Sequence, residues 1–128
     1  MTKLFRILLF FFVISSPANA VELSKYYKEP LTDTDKAGII AFNILQTIDL
    51  LQTLEITRND DYYETNPILG RDPSDAQIFS YFIARGIAHY HTTKMIPEKY
   101  RNIWHGYNIL YNYDVIQDNH NIGIRINF

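Results

Sequence analysis

Proline placement constrains this chain more than any other feature. Pro30, Pro67, Pro73 and Pro97 leave three long proline-free stretches. A proline removes a backbone donor and clashes with the carbonyl four residues back, so helices must fit between such positions. From Val21 to Leu31 the chain is polar and lacks periodicity, which predicts an extended lead-in stopped at Pro30. A first helix starts at Thr32 or Thr34, where a hydroxyl caps free amides and Asp33 and Asp35 meet the positive end of the dipole. From Ile39 to Ile56 it is apolar around most of its circumference, as in a helix buried on several sides or touching lipid. Asn59-Asp60-Asp61 breaks it, and Tyr62 to Gly70 forms a connector. Asp72 as a side-chain cap with Pro73 in the first turn opens a second helix running to about Lys94. A third extends from Glu98 to Gln117, with Ile103, Tyr107, Leu110 and Asp114 along one face.

Asp118 to Asn121 reads as a turn, and Ile122 to Phe128 alternates as a half-buried strand does. The expected fold is therefore mainly α, a small bundle of three helices with a short C-terminal β-strand. A lone strand must pair, either with the lead-in from Val21 to Lys28 or with the same strand of a second subunit, which would make a homo-oligomer. A terminal Phe after alternating apolar positions also resembles the closing strand of outer-membrane barrels. The remainder of the chain lacks the repeated alternating segments a barrel needs.

The first 20 residues read as a cleavable secretory signal peptide, leaving residues 21–128 as one helical domain. Lys3 and Arg6 supply the positive region, Ile7 to Ile14 the apolar core, and Ala18-Asn19-Ala20 the small-x-small cleavage site. The apolar run is too short for a bilayer that needs about 20 residues. No cysteine is present to carry a lipid anchor or a disulfide. Removing Lys3 and Arg6 from 12 basic side chains leaves 10 against 14 acidic, a formal charge of −4. That balance, with basic residues scattered, excludes a nucleic-acid surface. Ten tyrosines, each an apolar ring with a polar end, suit a core, an interface or a membrane boundary. Asn43, Gln46, Asp49 and Gln52 in the first helix, and Arg85 with two histidines in the second, favour a soluble or surface-associated bundle over membrane spans.

Those same polar residues carry the candidate chemistry. Gln46, Asp49 and Thr53 recur at i, i+3 and i+7 and share one stripe of an otherwise apolar helix. Phe82, Arg85 and His89 share a face of the second helix in the same way, Glu64 lies between the two helices, and Asp114 is a partner from the third. A buried Asp49 must find a partner. One reading is a structural Asp49–Arg85 pair, or an aspartate capping amides of the Asn66 loop. The other is a divalent-metal site with Asp49, Glu64 and His89 as ligands. His91 points away from His89 on a helix. No Ser or Cys nucleophile motif and no phosphate loop is present.

Asp49-x-x-x-Thr53 followed by Glu64-Thr65-Asn66-Pro67-Ile68-Leu69-Gly70 resembles a group of small exported or membrane proteins of bacteria and their phages. The group shares a D-x-x-x-T helix and an E-x-N-P-x-x-G loop. In some of its members the helices span the membrane; in others an exported domain has H-P-S after the loop and an N-x-x-I-G-I-type end. Here Asp72-Pro73-Ser74 replaces that histidine and removes one candidate ligand. The resemblance implies that Asp49, Thr53, Glu64, Asn66 and Pro67 form one constellation, and it implies no reaction. Two functions follow as expectations. The first is an exported envelope or periplasmic protein with a binding or structural role toward a membrane surface or an envelope protein; the second is a small metal-dependent hydrolase of the envelope.

Overall fold

A computed structural model of the chain describes residues 25–127. The expected signal peptide and Phe128 lie outside the described residues. The described part is helical: a single turn at residues 25–27, then α1 (Asp33–Thr57), α2 (Asp75–Met95) and α3 (Glu98–Asn121). The lead-in is thus not extended throughout, because Glu29 N donates to Tyr26 O at 3.0 Å and closes a turn before Pro30.

Two capping boxes set the helix starts. Thr32 Oγ1 accepts from Asp35 N while Asp35 returns the bond to Thr32 N, so α1 begins where the hydroxyl predicts. For α2 the cap is Ser74 rather than Asp72, because Gln77 three residues on reaches back to Ser74 N at 2.8 Å. Pro73 is buried just before the helix. The third helix runs one turn beyond Gln117 and absorbs the expected turn, ending where Gly123 takes φ 105.

No strand occurs among the described residues, so the expected C-terminal strand is not formed. The backbone from 122 onward folds against the end of α3 instead, with Ile124 N donating to Asn119 O at 3.0 Å and Gly123 N to His120 O at 3.1 Å. Ile124 alone of the alternating isoleucines is buried, and Ile122 is 59% exposed. With residues 25–27 of the lead-in helical, the segment has no ladder to join among the described residues. The expected pairing of copies through this strand loses its basis among the described residues.

Helix α1 packs against both α2 and α3 in an up-down-up arrangement. Phe82, Ile78, Leu54 and Leu69 form an apolar cluster where α1 meets the start of α2. Elsewhere the interior is mixed, with Phe42, Ile56, Ile116 and Ile124 buried among polar side chains. Inward positions of α3 follow heptad spacing as Arg101, His105 and Asn112, and those of α2 as Arg85, His89 and Thr93. Arg101 and Asn112 are 0% exposed, whereas Ile103 is 70% and Leu110 64% exposed. The face carrying Ile103, Tyr107 and Leu110 therefore looks outward.

Close approach of α1 and α3 depends on Gly38, where a Cβ would lie 2.5 Å from His105 Cγ. Gly106 has no neighbour within 4 Å of that position. Gly38→Ala is expected to destabilise the bundle by about 1–3 kcal/mol through overpacking. Gly106→Ala should be neutral or stabilise by up to about 1 kcal/mol through helix propensity. Thermal unfolding followed by circular dichroism compares the two. Equal melting temperatures would show that the helices do not meet at Gly38.

Candidate functional site

The stripe of Gln46, Asp49 and Thr53 turns inward, and all three are buried. Arg85 Nη1 donates to Asp49 Oδ2 at 3.5 Å, a long contact, while its Nη2 donates to Asn112 Oδ1 at 2.9 Å. The guanidinium also lies 5.5–5.9 Å from the ring centres of Phe42, Tyr81 and Phe82. An arginine fits here because its planar, weakly hydrated head can bond at its edge and stack on its faces. Asn112 is the element that sequence reasoning missed. Its heptad spacing from His105 was the signal for it, and in the structure its Nδ2 donates to Asn108 O at 2.9 Å.

The loop between α1 and α2 closes one side. Glu64 Oε1 accepts from Asn66 N at 2.7 Å, and Asn66 Oδ1 accepts from Ile68 N at 3.0 Å. Gly70, at φ 78, donates its N–H to Asn66 O and turns the chain toward α2. Pro67 keeps Asn66 out of helical geometry. The loop's polar side chains thereby shape its own backbone, and Glu64 and Asn66 are delivered to the same cleft as Asp49, Thr53 and Arg85. That cleft holds about 330 Å³ and opens at the loop end of the bundle, with Asp118 and Asn119 of α3 on its far wall.

The other candidates lie elsewhere. His89 stacks on Phe42 at 3.8 Å and on Trp104 at 5.3 Å, and its Nε2 sits 3.2 Å from His105 Nδ1. It belongs to a separate polar layer with His105, Asp35 and Arg101, one turn along α2 from Arg85. Gln46 is buried with neither amide atom bonded. Asp114 is exposed on the outside of α3 and does not line the cleft. No group of three His, Cys, Asp or Glu that could hold a metal occurs among the described residues. The Asp49, Glu64 and His89 ligand set is therefore corrected: Arg85 takes up Asp49, and His89 faces the other layer. The metal-dependent hydrolase loses its first shell with it.

The second layer was not anticipated as a unit. Arg101 Nη1 donates to Asp35 Oδ2 at 3.1 Å, Nη2 to Glu29 Oε2 at 3.3 Å, and Nε to Ile96 O at 2.9 Å. Asp35 was legible only as a helix-start residue, and it performs both tasks.

No protein-family profile, curated protein or solved structure matches the chain. Among the described residues no serine hydroxyl is hydrogen-bonded to a histidine or a carboxylate. What the cleft offers is a mixed-charge, aromatic-walled recess suited to holding a small polar group.

Removing Arg85 leaves a buried carboxylate with no donor and Asn112 Oδ1 with none, so Arg85→Ala should cost about 3–5 kcal/mol. Asp49→Ala should cost less, because Arg85 keeps Asn112 and three rings, and Asp49→Asn less again, about 1 kcal/mol. Thermal unfolding of the single and double variants, read as a double-mutant cycle, gives the coupling. A coupling near zero would mean that the 3.5 Å contact carries no energy.

Proposed function

We propose that this chain is an exported envelope protein whose three helices reside in lipid, with a binding rather than a catalytic role. One observation carries the reading: the bundle's polarity is inverted. Ten polar or charged residues are buried among the described residues against eight apolar ones, and many large apolar side chains of the three helices point outward. Ile40 and Ile44 of α1, Ile83 and Ile87 of α2, and Ile103 and Leu110 of α3 are all more than half exposed. A soluble bundle buries such side chains at about 1.5–3 kcal/mol each. Apolar exposure on every helix, with Asp49, Arg85 and Arg101 turned inward and Asp114 of α3 left outward, follows in large part the pattern hydrocarbon surroundings impose.

Dimensions agree. At 25, 21 and 24 residues the helices are about 37, 31 and 36 Å long, against a hydrocarbon core of about 30 Å. Among the described residues only α1 is apolar enough over its whole circumference to pass for a membrane span. Helices α2 and α3 fall short because they carry polar residues both inward, at Arg85, His89, Arg101 and His105, and outward, at His91, Asn102 and Asp114. Outward polar groups on α1 bond their own helix, as membrane helices require: Asn43 Nδ2 donates to Ile39 O and Thr47 Oγ1 to Asn43 O, each at 2.8 Å. Between Asp75 and Lys94 the only charge on α2 is the inward Arg85, and between Lys36 and Glu55 the only charge on α1 is the inward Asp49. Charges gather at the two ends, with lysines 25, 28, 36, 94 and 99 at one and the acidic loop at the other.

Fractionation of expressing cells tests the proposal. The chain is expected in the membrane pellet after alkaline carbonate washing and in a form shortened by about 20 residues. Ile83→Arg and Ile103→Arg, harmless on a water-facing surface, should each oppose insertion by about 2–3 kcal/mol and deplete the membrane fraction. Recovery of the parent chain in the soluble fraction, with both variants behaving like it, would overturn the reading.

A further inference from the structure

We propose that the groove between α1 and α2 is the face through which two copies of this chain associate side by side in the membrane. The inference rests on the residence in lipid proposed above.

One buried group in this groove is unmet. The groove holds about 530 Å³, with Ile39, Leu50, Ile83 and Ile87 among its apolar walls. Gly86 keeps its floor open, since a Cβ there would lie 2.8 Å from Asn43 Oδ1. Gln46 lines the groove, is 3% exposed, and has no hydrogen-bond partner on either amide atom. Water could serve such a group on a wet surface, whereas in hydrocarbon another protein group must do so. An acyl chain lying in the groove brings neither donor nor acceptor. A helix carrying amides and hydroxyls brings both, and such side chains join helices to one another in lipid. Asn43 and Thr47 flank Gln46 and are exposed. Asn43 Nδ2 commits one hydrogen to Ile39 O, which leaves its other hydrogen and Oδ1, and Thr47 Oγ1 donates to Asn43 O, which leaves its lone pairs.

Symmetry selects a second copy as the partner. Copies exported by one route lie in the membrane the same way up, so a pair is related by a two-fold axis along the membrane normal. Each residue at that axis meets its own copy at its own depth and must complement itself. Side chains that both donate and accept can do so, and like charges cannot. No Asp, Glu, Lys or Arg lines the groove, and its polar side chains are Asn43, Gln46, Thr47, Tyr90 and His91. Amides, hydroxyls and a neutral imidazole each offer a donor and an acceptor. Other faces fail this criterion: the outward side of α3 carries Asp114, and the cleft at the loop end carries Asp49, Glu64 and Asp118. Asn43, Gln46 and Thr47 also fall near the middle of α1 (Asp33–Thr57), the depth at which lipid offers no polar alternative.

The chain has no cysteine, so single-cysteine variants of the full mature protein report the contact without background. Membranes from expressing cells are oxidised with copper phenanthroline. Thr47→Cys and Ile87→Cys in the groove are expected to give a disulfide-linked dimer, and Leu110→Cys on the outward face of α3 to stay monomeric. Affinity is read in phosphatidylcholine vesicles from energy transfer between copies labelled at Lys25→Cys, as lipid dilutes the protein. Gln46→Met keeps the side-chain volume and removes the unmet amide. It should weaken association about tenfold, as should Asn43→Leu, while Gly106→Ala on α3 leaves it unchanged. Energy transfer no greater than random collision gives at every dilution, as for single bundles with lipid in the groove, overturns the inference. So does crosslinking through Leu110→Cys instead of the groove, or association indifferent to Gln46→Met. A chain that stays in the washed membrane pellet as a monomer defeats this inference alone. A soluble chain that still crosslinks through Thr47→Cys defeats only the lipid reading.

Discussion

The Arg101 side chain is the constraint on which the rest of the structure hangs. It is fully buried, and its guanidinium reaches three separate parts of the chain: Glu29 and Pro30 O of the lead-in, Asp35 in the first turn of α1, and Ile96 O between α2 and α3. A cation taken out of water without such partners would carry several kcal/mol of desolvation. Satisfying it requires the α1 start, the lead-in and the α2–α3 turn to converge at one end of the bundle. Once they do, His105 is carried to within 3.6 Å of Asp35 and against Gly38, and the facing of α1 and α3 is fixed.

From that end the interior carries polar side chains down its length, and this changes what holds the helices together. Apolar packing is confined mainly to the cluster around Phe82 and Leu54. The remaining inward contacts are directional: Arg85 with Asp49 and Asn112, Trp104 Nε1 with Thr93 Oγ1, Asn119 with Gln52, and Gln52 with Ile116 O. Directional bonds select one register where a greasy interface would tolerate sliding. They also gain strength as the surroundings become less polar. An inward polar column and an outward apolar coat are thus two consequences of one environment, with the coat meeting hydrocarbon and the column sheltered from it.

Helix number and most helix starts were legible because they rest on local rules, namely prolines that cannot sit inside a helix and hydroxyls that cap free amides. The Asp49 stripe was legible from its i, i+3, i+7 spacing, and so was the face that Arg85 shares with it. Other features were not local. Whether Ile103 or Arg101 faces inward cannot be decided by periodicity, since both recur at helical spacing on opposite sides of α3. The usual assumption that the apolar face is the buried one points the wrong way here. Alternation in Ile122–Phe128 suggested a strand, but a strand exists only with a partner, and the carbonyls at the end of α3 captured those amides first. His89 was grouped with Asp49 because it shares a face with Arg85. One helical turn of separation was enough to assign it to a different layer.

The two polar layers differ in how completely they are closed, and the difference separates structure from function. Around Arg101 the guanidinium meets acceptors at Nε, Nη1 and Nη2 and ties together chain segments that must converge, while the ring nitrogens His89 Nδ1 and His105 Nε2 of the same layer are buried without a hydrogen-bond partner. Around Asp49 the arginine contact is long, and the loop that brings Glu64 has its shape set by Asn66, Pro67 and Gly70 and its place fixed by Leu69 in the apolar cluster. A loop so heavily specified delivers Glu64 and Asn66 to an open cleft beside Asp49 and Arg85, whereas the Arg101 layer is closed by the chain segments it joins.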